Sequence, residues 1–196
     1  MSKNFDITTR GVVIARAQSG EGSARIFIYT ESAGLLGVLA KSAREERSKL
    51  RPHLQVGTYG SFTLVKGIRD WRVTGAVDTE NSYFQLRGAP RTQAASARVV
   101  GVVRQLVHGE EKNQELFDAL WAFLHALPHF TEDEVKTGEY LAVIRILSAL
   151  GYVPPESVVP HLLEASYAGK ILDAVKPFEK QLVKTINNAL LASNLS

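Results

Sequence analysis

The chain has 196 residues, of which 45% are hydrophobic and 22% charged, and it contains no cysteine. This length suits one large domain or two small ones, and the lack of cysteine excludes disulfides, cysteine-ligated metal sites and a cysteine nucleophile. No run approaches the roughly 20 apolar residues that cross a bilayer, and no secretory signal is visible, so we expect a cytoplasmic protein without membrane contact.

The first part of the chain predicts β-structure. Five runs rich in β-branched and aromatic residues, joined by segments with Gly and Ser, are expected to be strands. They cover residues 7–17, 24–30, 35–40, 59–66 and 71–78. Five short strands with an irregular connector after the third suit a closed barrel of the OB type, which leaves no exposed sheet edge.

A basic connector follows the third strand. It holds five basic residues against the two acidic ones at 45 and 46: Lys41, Arg44, Arg47, Lys49 and Arg51. Each Lys or Arg there is placed to contact a phosphate and displace a condensed counterion from nucleic acid. The alternative is a solvated charged loop that only keeps the protein in solution.

Charge is distributed unevenly along the chain. Residues 1–75 hold twelve Lys and Arg against six Asp and Glu, a net charge of +6, whereas residues 76–196 hold eleven against fourteen, a net charge of −3. The sequence pI of about 9.2 therefore arises in the N-terminal part. Such asymmetry predicts two regions with different partners.

The second strand combines basic and aromatic residues. Arg25, Phe27 and Tyr29 share one face, because side chains alternate along a strand, and such a face holds single strands without reading their sequence. The alternative places these rings in the barrel core. We expect a core position for Phe27 more than for Tyr29, whose hydroxyl requires water or a partner.

The segment 66–72 between the last two strands is predicted to be a basic hairpin tip that carries an aromatic residue. Lys66, Arg69 and Trp71 are its candidate nucleic-acid contacts, and Gly67 allows the turn. In the alternative interpretation the hairpin is ordinary and Trp71 plugs the end of the barrel.

From Pro90 onward the hydrophobic period becomes helical. The predicted helices cover residues 98–107, 116–127, a stretch from the capping box at 131–134 to about 150, then 157–168 and a last stretch from Pro177. The third of these is apolar on nearly every side beyond Tyr140, which predicts a central position in a bundle. We therefore predict an α+β protein with an OB-fold domain over residues 1–80 and an all-α domain over residues 81–196.

Charged residues in the helical half have structural interpretations. Arg145 is expensive to bury unpaired, so we expect it to pair with a carboxylate such as Glu139 or one across the bundle. Lys176, Lys180 and Lys184 form a basic stripe on the last helix. We interpret the stripe as a solvated outer face, with a second DNA track as the alternative.

Catalytic patterns are missing from the sequence. His125 and His129 have helical spacing, but Pro128 breaks the helix between them and no His-Glu-x-x-His is present. Gly20 and Gly22 lack the further glycine and lysine of a phosphate cradle. We therefore predict a protein that is not an enzyme and has no cofactor or metal.

Two motifs give the chain a resemblance to a known family. The first is Gly34-Leu-Leu-Gly-Val-Leu-Ala-Lys-Ser-Ala-Arg44, followed by Ser48-Lys-Leu-Arg51. The second, about a hundred residues later, is Val143-Ile-Arg-Ile-Leu-Ser-Ala-Leu-Gly-Tyr-Val-Pro154. In this order they resemble the signatures of the bacterial recombination mediators of the RecO family, over residues from about 5 to 155.

The resemblance implies an N-terminal OB-fold, a helical domain and no enzymatic chemistry. It also implies binding to single- and double-stranded DNA, annealing of complementary strands and, with RecR, assistance in loading RecA onto DNA coated by single-strand-binding protein. The family's basic surface maps to Lys41, Arg44, Lys49 and Arg51, with Arg16 and Arg25 nearby. Arg47 lies inside the run without an assigned family position.

The chain departs from the family pattern at two places. Position 42 is Ser where the family usually has Gly, which narrows the permitted backbone conformations. Many members also carry a four-cysteine zinc module after the Leu-Gly-Tyr-x-Pro turn, and residues 155–167 contain no cysteine. We therefore expect a short, metal-free version of that module.

Two other functions stay open at this level. A pure adaptor would dock an acidic partner, such as the tail of single-strand-binding protein, on the basic face and touch DNA only through that partner. An RNA-binding OB protein shares the same charge argument. Binding to naked DNA and competition between DNA and RNA would separate the three.

Overall fold

A computed structural model describes residues 5–20, 22–41, 47–164, 166–167 and 170–193. The five strands are β1 Phe5–Ser19, β2 Ser23–Thr30, β3 Gly34–Ala40, β4 Thr58–Lys66 and β5 Trp71–Asn81. They close into a barrel in the order β1-β2-β3-β5-β4, with antiparallel neighbours except for the parallel pair of β3 and β5. This arrangement is the OB-fold, as the sequence predicted.

The barrel closes because β1 is long enough to pair on both of its sides. Its first half, from Phe5 to Val12, pairs with β4, and its second half, from Gly11 to Ser19, pairs with β2. The register shifts between Val13 and Ala15, which bends the strand around the barrel as a β-bulge does. Inward side chains from all five strands form one apolar core.

The last part of the connector between β3 and β4 packs against the barrel core. It forms a 3₁₀ turn over Pro52–Leu54, and Leu54 is fully buried in the barrel core. Leu50 packs against the same core. These two leucines anchor the otherwise charged connector.

The barrel unit comprises the residues up to Gln85, including the short helix α1 Ser82–Gln85, and also the later segment Val107–Lys112. This segment returns to the turn between β2 and β3, where the Leu35 amide donates to the Gly109 carbonyl at 3.2 Å. Gly34 has φ +65°, and a Cβ there would overlap the Glu111 backbone. The turn therefore requires glycine for its conformation and for close approach.

The helical unit contains α2 Pro90–Leu106, α3 Gln114–Ala126, α4 Glu132–Ala149, α5 Ile171–Val175 and α6 Glu179–Ser193. Helix α4 packs against α2, α3 and α6, so the predicted central position is confirmed. Both halves of its predicted capping box are present between Thr131 and Glu134. Gly151 ends the helix with φ +77°.

The predicted helix over 157–168 is wrong. The described residues there form two 3₁₀ turns, Pro155–Ser157 and Pro160–Leu162. Proline at 160 supplies no amide hydrogen, and the Leu162 carbonyl, which a helix would use internally, accepts from Arg145 Nε at 2.7 Å. No helix among the described residues is long and apolar enough to cross a membrane.

The predicted partner of Arg145 is also wrong. Arg145 is only 2% exposed, and its Nη2 donates to the Ser166 carbonyl at 3.1 Å. Its guanidinium lies 4.8 Å from the centre of the Tyr167 ring. Glu139 pairs instead with Arg98 at 2.5 Å. Backbone carbonyls and an aromatic face thus replace the expected carboxylate.

Candidate nucleic-acid interface

The outer face of β2, β3 and β5 carries one row of basic and apolar side chains. The register pairs Arg25 with Leu39 and Leu39 with Arg72, and residues directly opposite each other point to the same side of a sheet. Arg25 and Leu39 are half-buried, whereas Arg72 is exposed. In this row Arg25 and Arg72 lie on either side of the apolar Leu39 of β3.

Phe27 lies in the next row of the same face, opposite Gly37. A Cβ at Gly37 would lie 3.5 Å from both the Phe27 ring and an Arg25 nitrogen. Because Gly37 has no side chain, the Phe27 ring and the Arg25 side chain can lie over its backbone. Phe27 is half-buried on the outside of the barrel, so the expected core position is wrong. The inward positions are those of Ile26 and Ile28.

Tyr29 is on the outward side of β2 but only 1% exposed. Burial raises its pKa above the usual value for a tyrosine. The ring is therefore inaccessible to a base, and of the two aromatic residues predicted on this strand only Phe27 has an accessible surface.

The hairpin between β4 and β5 lies beside this face and is firmly held. The Gly67 amide donates to the Asp70 carbonyl at 3.0 Å, and Arg25 Nη2 donates to Asp70 Oδ1 at 2.6 Å. This ion pair ties β2 to the hairpin. Ile68 at the tip is 98% exposed, and Arg69 next to it is also exposed.

Trp71 is part of the barrel core and only 7% exposed. Phe5 contacts its ring edge-on at a centroid distance of 6.4 Å, and Lys66 Nζ lies 5.3 Å from the ring centre. The indole therefore closes the barrel end and holds the hairpin, as the alternative interpretation proposed. Lys66 itself is exposed.

The connector presents its basic residues outward. Lys41, Arg47, Lys49 and Arg51 are exposed, and no ion pair joins them to another residue within the described ranges. Arg44 lies outside the described residues. The four described cations therefore lie at exposed positions, where a charged ligand can reach them.

These cations do not meet at one point. Lys41 follows Ala40, which pairs with Ala24 at the C-terminal end of β3. Because β3 and β5 are parallel, the hairpin 67–70 lies toward the start of β3, on the other side of the Val38–Trp71 pair from Lys41. Arg51 precedes the 3₁₀ turn, where the His53 ring contacts Thr79 near the far end of β5. The described connector cations therefore lie at separate positions.

The other predicted positions differ in accessibility. Arg16 is half-buried on β1, opposite the inward Ile26. Lys176 pairs with Asp173 at 2.8 Å, whereas Lys180 and Lys184 are exposed on α6. Since Arg16 faces the barrel interior and Lys176 is paired, neither has the open position of Lys41 or Arg69.

Sequence reasoning missed Arg72 and Ile68. Arg72 lies within the predicted hairpin segment but is not among its candidate contacts, although alternation from the buried Trp71 places it outward. The exposure of Ile68 is not predictable from the sequence, because the residue type alone does not show whether an apolar side chain is buried or exposed. The Arg25–Asp70 ion pair joins β2 to the β4–β5 hairpin, and its prediction requires the barrel register.

The strand order and this outer face define an OB-fold protein, a class that uses the β2–β3 face and the loops after β1 and β4 for oligonucleotides and oligosaccharides. Residues 1–72 match the family model described as Recombination protein O N terminal. The N-terminal region is therefore similar to the RecO N-terminal family, and the chain is similar to DNA repair proteins named RecO. This confirms the resemblance seen in the sequence.

Three relatives illustrate the similarity. DNA repair protein RecO of Dehalococcoides mccartyi is 29% identical over 154 residues, which are 79% of this chain and 60% of that protein. The RecO proteins of Acetivibrio thermocellus and Salinibacter ruber are 28% and 26% identical over 76% and 79% of this chain, and over 58% and 59% of their own lengths. The chain thus spans about three fifths of the length of these curated relatives.

Proposed function

We propose that this protein is a non-enzymatic DNA-binding mediator of recombination and repair. It binds single- and double-stranded DNA, anneals complementary strands and, together with RecR, assists the loading of RecA onto DNA coated by single-strand-binding protein. Its relatives are named DNA repair proteins, which supports the process, and we expect it to act in the cytoplasm.

The observation that carries the proposal is the face formed by Arg25, Phe27 and Arg72 beside the basic hairpin. A single strand bound there has bases against Phe27 and phosphates against the exposed cations Arg72, Arg69 and Lys66, as in binding without sequence preference. Further positive charge comes from the exposed connector residues Lys41, Arg47, Lys49 and Arg51. Because such contacts are made to the backbone, we expect weak sequence preference.

The direct test is the salt dependence of binding to a labelled single-stranded oligonucleotide, measured by fluorescence anisotropy. With three to five phosphates neutralised, log K against log[salt] is expected to have a slope of roughly −2 to −4. A flat salt dependence would contradict the assignment of the basic face.

A pair of charge-reversal variants locates the site. Changing Lys41, Arg69 and Arg72 to Glu removes three cations from the face and is expected to flatten the slope by about 2. The matched control changes Lys176, Lys180 and Lys184 on the last helix to Glu, which alters the net charge equally. Both variants should melt at nearly the wild-type temperature, since exposed charges contribute little to stability. Greater loss in the control would move the site to the helical unit.

The same assay separates the other functions. An adaptor that docks an acidic partner gives no binding to naked oligonucleotide at physiological salt. An RNA-binding protein prefers an RNA oligonucleotide over DNA of the same sequence in direct competition. Annealing is then followed with two complementary labelled strands, and RecA loading with RecR and single-strand-binding protein added in turn.

A further inference from the structure

Ile68 has the greatest exposure of the large hydrophobic side chains in the described part of the chain. It is 98% exposed, against 65% for Leu191, 63% for Phe5 and 58% for Val77. An isolated apolar side chain at a protein surface needs no explanation by itself. Ile68, however, lies at the tip of the β4–β5 hairpin, and this position suggests a function for its exposure.

The hairpin holds Ile68 away from the barrel. The bond from the Gly67 amide to the Asp70 carbonyl closes the turn, and the Arg25–Asp70 ion pair ties its far side to β2. Directly after the tip, Trp71 is buried in the core. The loop is thus anchored on both sides of Ile68, and its apolar side chain is presented in a fixed place.

Cations flank Ile68 on both sides in the sequence. Lys66, Arg69 and Arg72 lie within four residues of Ile68, and Asp70 is the only carboxylate of the segment 66–72. A ligand that matches the tip must be apolar where it meets Ile68 and negatively charged around that point. A step between two stacked bases, flanked by their phosphates, has this pattern.

An anionic membrane shares part of the pattern, but membrane-surface binding normally uses a broad apolar face. Here one aliphatic side chain protrudes, and the neighbouring surface carries Phe27 over Gly37, which offers a flat aromatic contact. A single protruding aliphatic side chain is what proteins insert between bases to unstack them. The local geometry therefore favours a nucleic-acid strand.

We propose that Ile68 is a wedge that inserts between two adjacent bases of the bound strand, while Lys66, Arg69 and Arg72 contact the flanking phosphates. This inference rests on the proposed function and adds a task to it. The inserted side chain interrupts stacking at one step and kinks the bound strand there.

The test uses a single-stranded oligonucleotide that contains 2-aminopurine within a run of adenines. Its fluorescence rises when the base is unstacked, and the anisotropy of a dye at the end of the same oligonucleotide reports binding. Wild-type protein is expected to raise the 2-aminopurine signal at saturation. Ile68→Ala is expected to lose most of this rise, while its affinity falls by less than about tenfold because phosphate contacts supply most of the affinity.

Two matched variants complete the design. Ile68→Leu retains an aliphatic wedge and should keep the rise, and Val77→Ala shortens another exposed aliphatic side chain on the barrel and should behave as wild type. A full rise with saturated Ile68→Ala, or saturated wild-type binding with no rise at all, overturns the wedge and leaves the proposed function standing. No binding by wild type overturns both.

A second measurement addresses the membrane. If Ile68→Ala lost sedimentation with vesicles of phosphatidylglycerol and phosphatidylcholine while its 2-aminopurine signal stayed at the wild-type level, the tip would be a lipid contact and the wedge would be overturned. Vesicle binding that is unchanged by the substitution, together with loss of the 2-aminopurine signal, supports the wedge.

Discussion

Replacing Arg145 by Met tests what holds the segment after α4. Methionine keeps a flexible apolar stem of similar length but removes the guanidinium. The change deletes the hydrogen bonds to the carbonyls of Leu162 at 2.7 Å and Ser166 at 3.1 Å. It also deletes the contact with the Tyr167 ring at 4.8 Å.

Two opposing effects set the magnitude. Each hydrogen bond from a charged donor contributes about 1.5–3 kcal/mol, and the Leu162 carbonyl would be left without its donor inside the protein. In the opposite direction, burying a guanidinium costs several kcal/mol, and burial lowers the pKa of Arg145 despite the neighbouring Tyr167 and Glu164. Because two bonds and a cation–π contact are lost together, we expect a net loss of roughly 2–3 kcal/mol in the free energy of unfolding.

The measurement is urea unfolding followed by circular dichroism, together with hydrogen exchange of the amides in residues 155–167. The matched control is Arg98→Met, which removes the same group from an ion pair in which the Arg98 side chain is 58% exposed. That control should cost less than about 1 kcal/mol. Faster exchange in 155–167 is expected only for Arg145→Met. Wild-type stability and unchanged exchange in Arg145→Met would show that apolar packing alone holds the segment.

Three further predictions concern the glycine turn, a helix start and metal. Gly34→Ala should lower the free energy of unfolding by about 3 kcal/mol, because of backbone strain and overlap with Glu111. Gly20→Ala, at a position with φ +67° and open space around it, should lower it by only about 1 kcal/mol. Equal losses in urea titrations would refute the overlap. Hydrogen bonds from Thr131 hold the pKa of Glu134 below its ordinary value of 4.5. The charge of Glu134 therefore stabilises the folded state above pH 4.5, and this stabilisation is lost as the pH falls through the lowered pKa. The melting temperature of Glu134→Gln should lie slightly below that of the wild type at pH 7 and equal it at low pH. A strong chelator should change neither the melting temperature nor DNA affinity, and stoichiometric zinc by elemental analysis would contradict the expectation of a metal-free module.

Much of the barrel was predictable because period-two alternation and Gly-containing joints are local signals. All five strands lie within three residues of their predicted bounds, and the strand order follows from the OB-fold. The second strand was harder, because Ile26, Phe27 and Ile28 are apolar on both faces. Only the register with β3 shows that the isoleucines point inward.

The remaining errors come from contacts distant in sequence. Arg145 receives its partners from the backbone 17 and 21 residues later, and a carbonyl group gives no signal in the residue types of a sequence. The same contacts explain why the apolar residues from 157 on do not form a helix. For the candidate site, charge predicted the exposed connector cations, but exposure of Ile68 and burial of Trp71 depend on the barrel geometry.

The return of Val107–Lys112 to the turn between β2 and β3 has a consequence for how this protein is divided or shuffled. Helix α2 is an insertion in the sequence of the barrel unit, because residues before and after it belong to that unit. A fragment cut after β5 would leave the Leu35 amide without its Gly109 acceptor and would uncover the turn at Gly34. The barrel unit is therefore not one continuous segment of the chain. A fusion protein that contains the complete barrel unit must also contain α2.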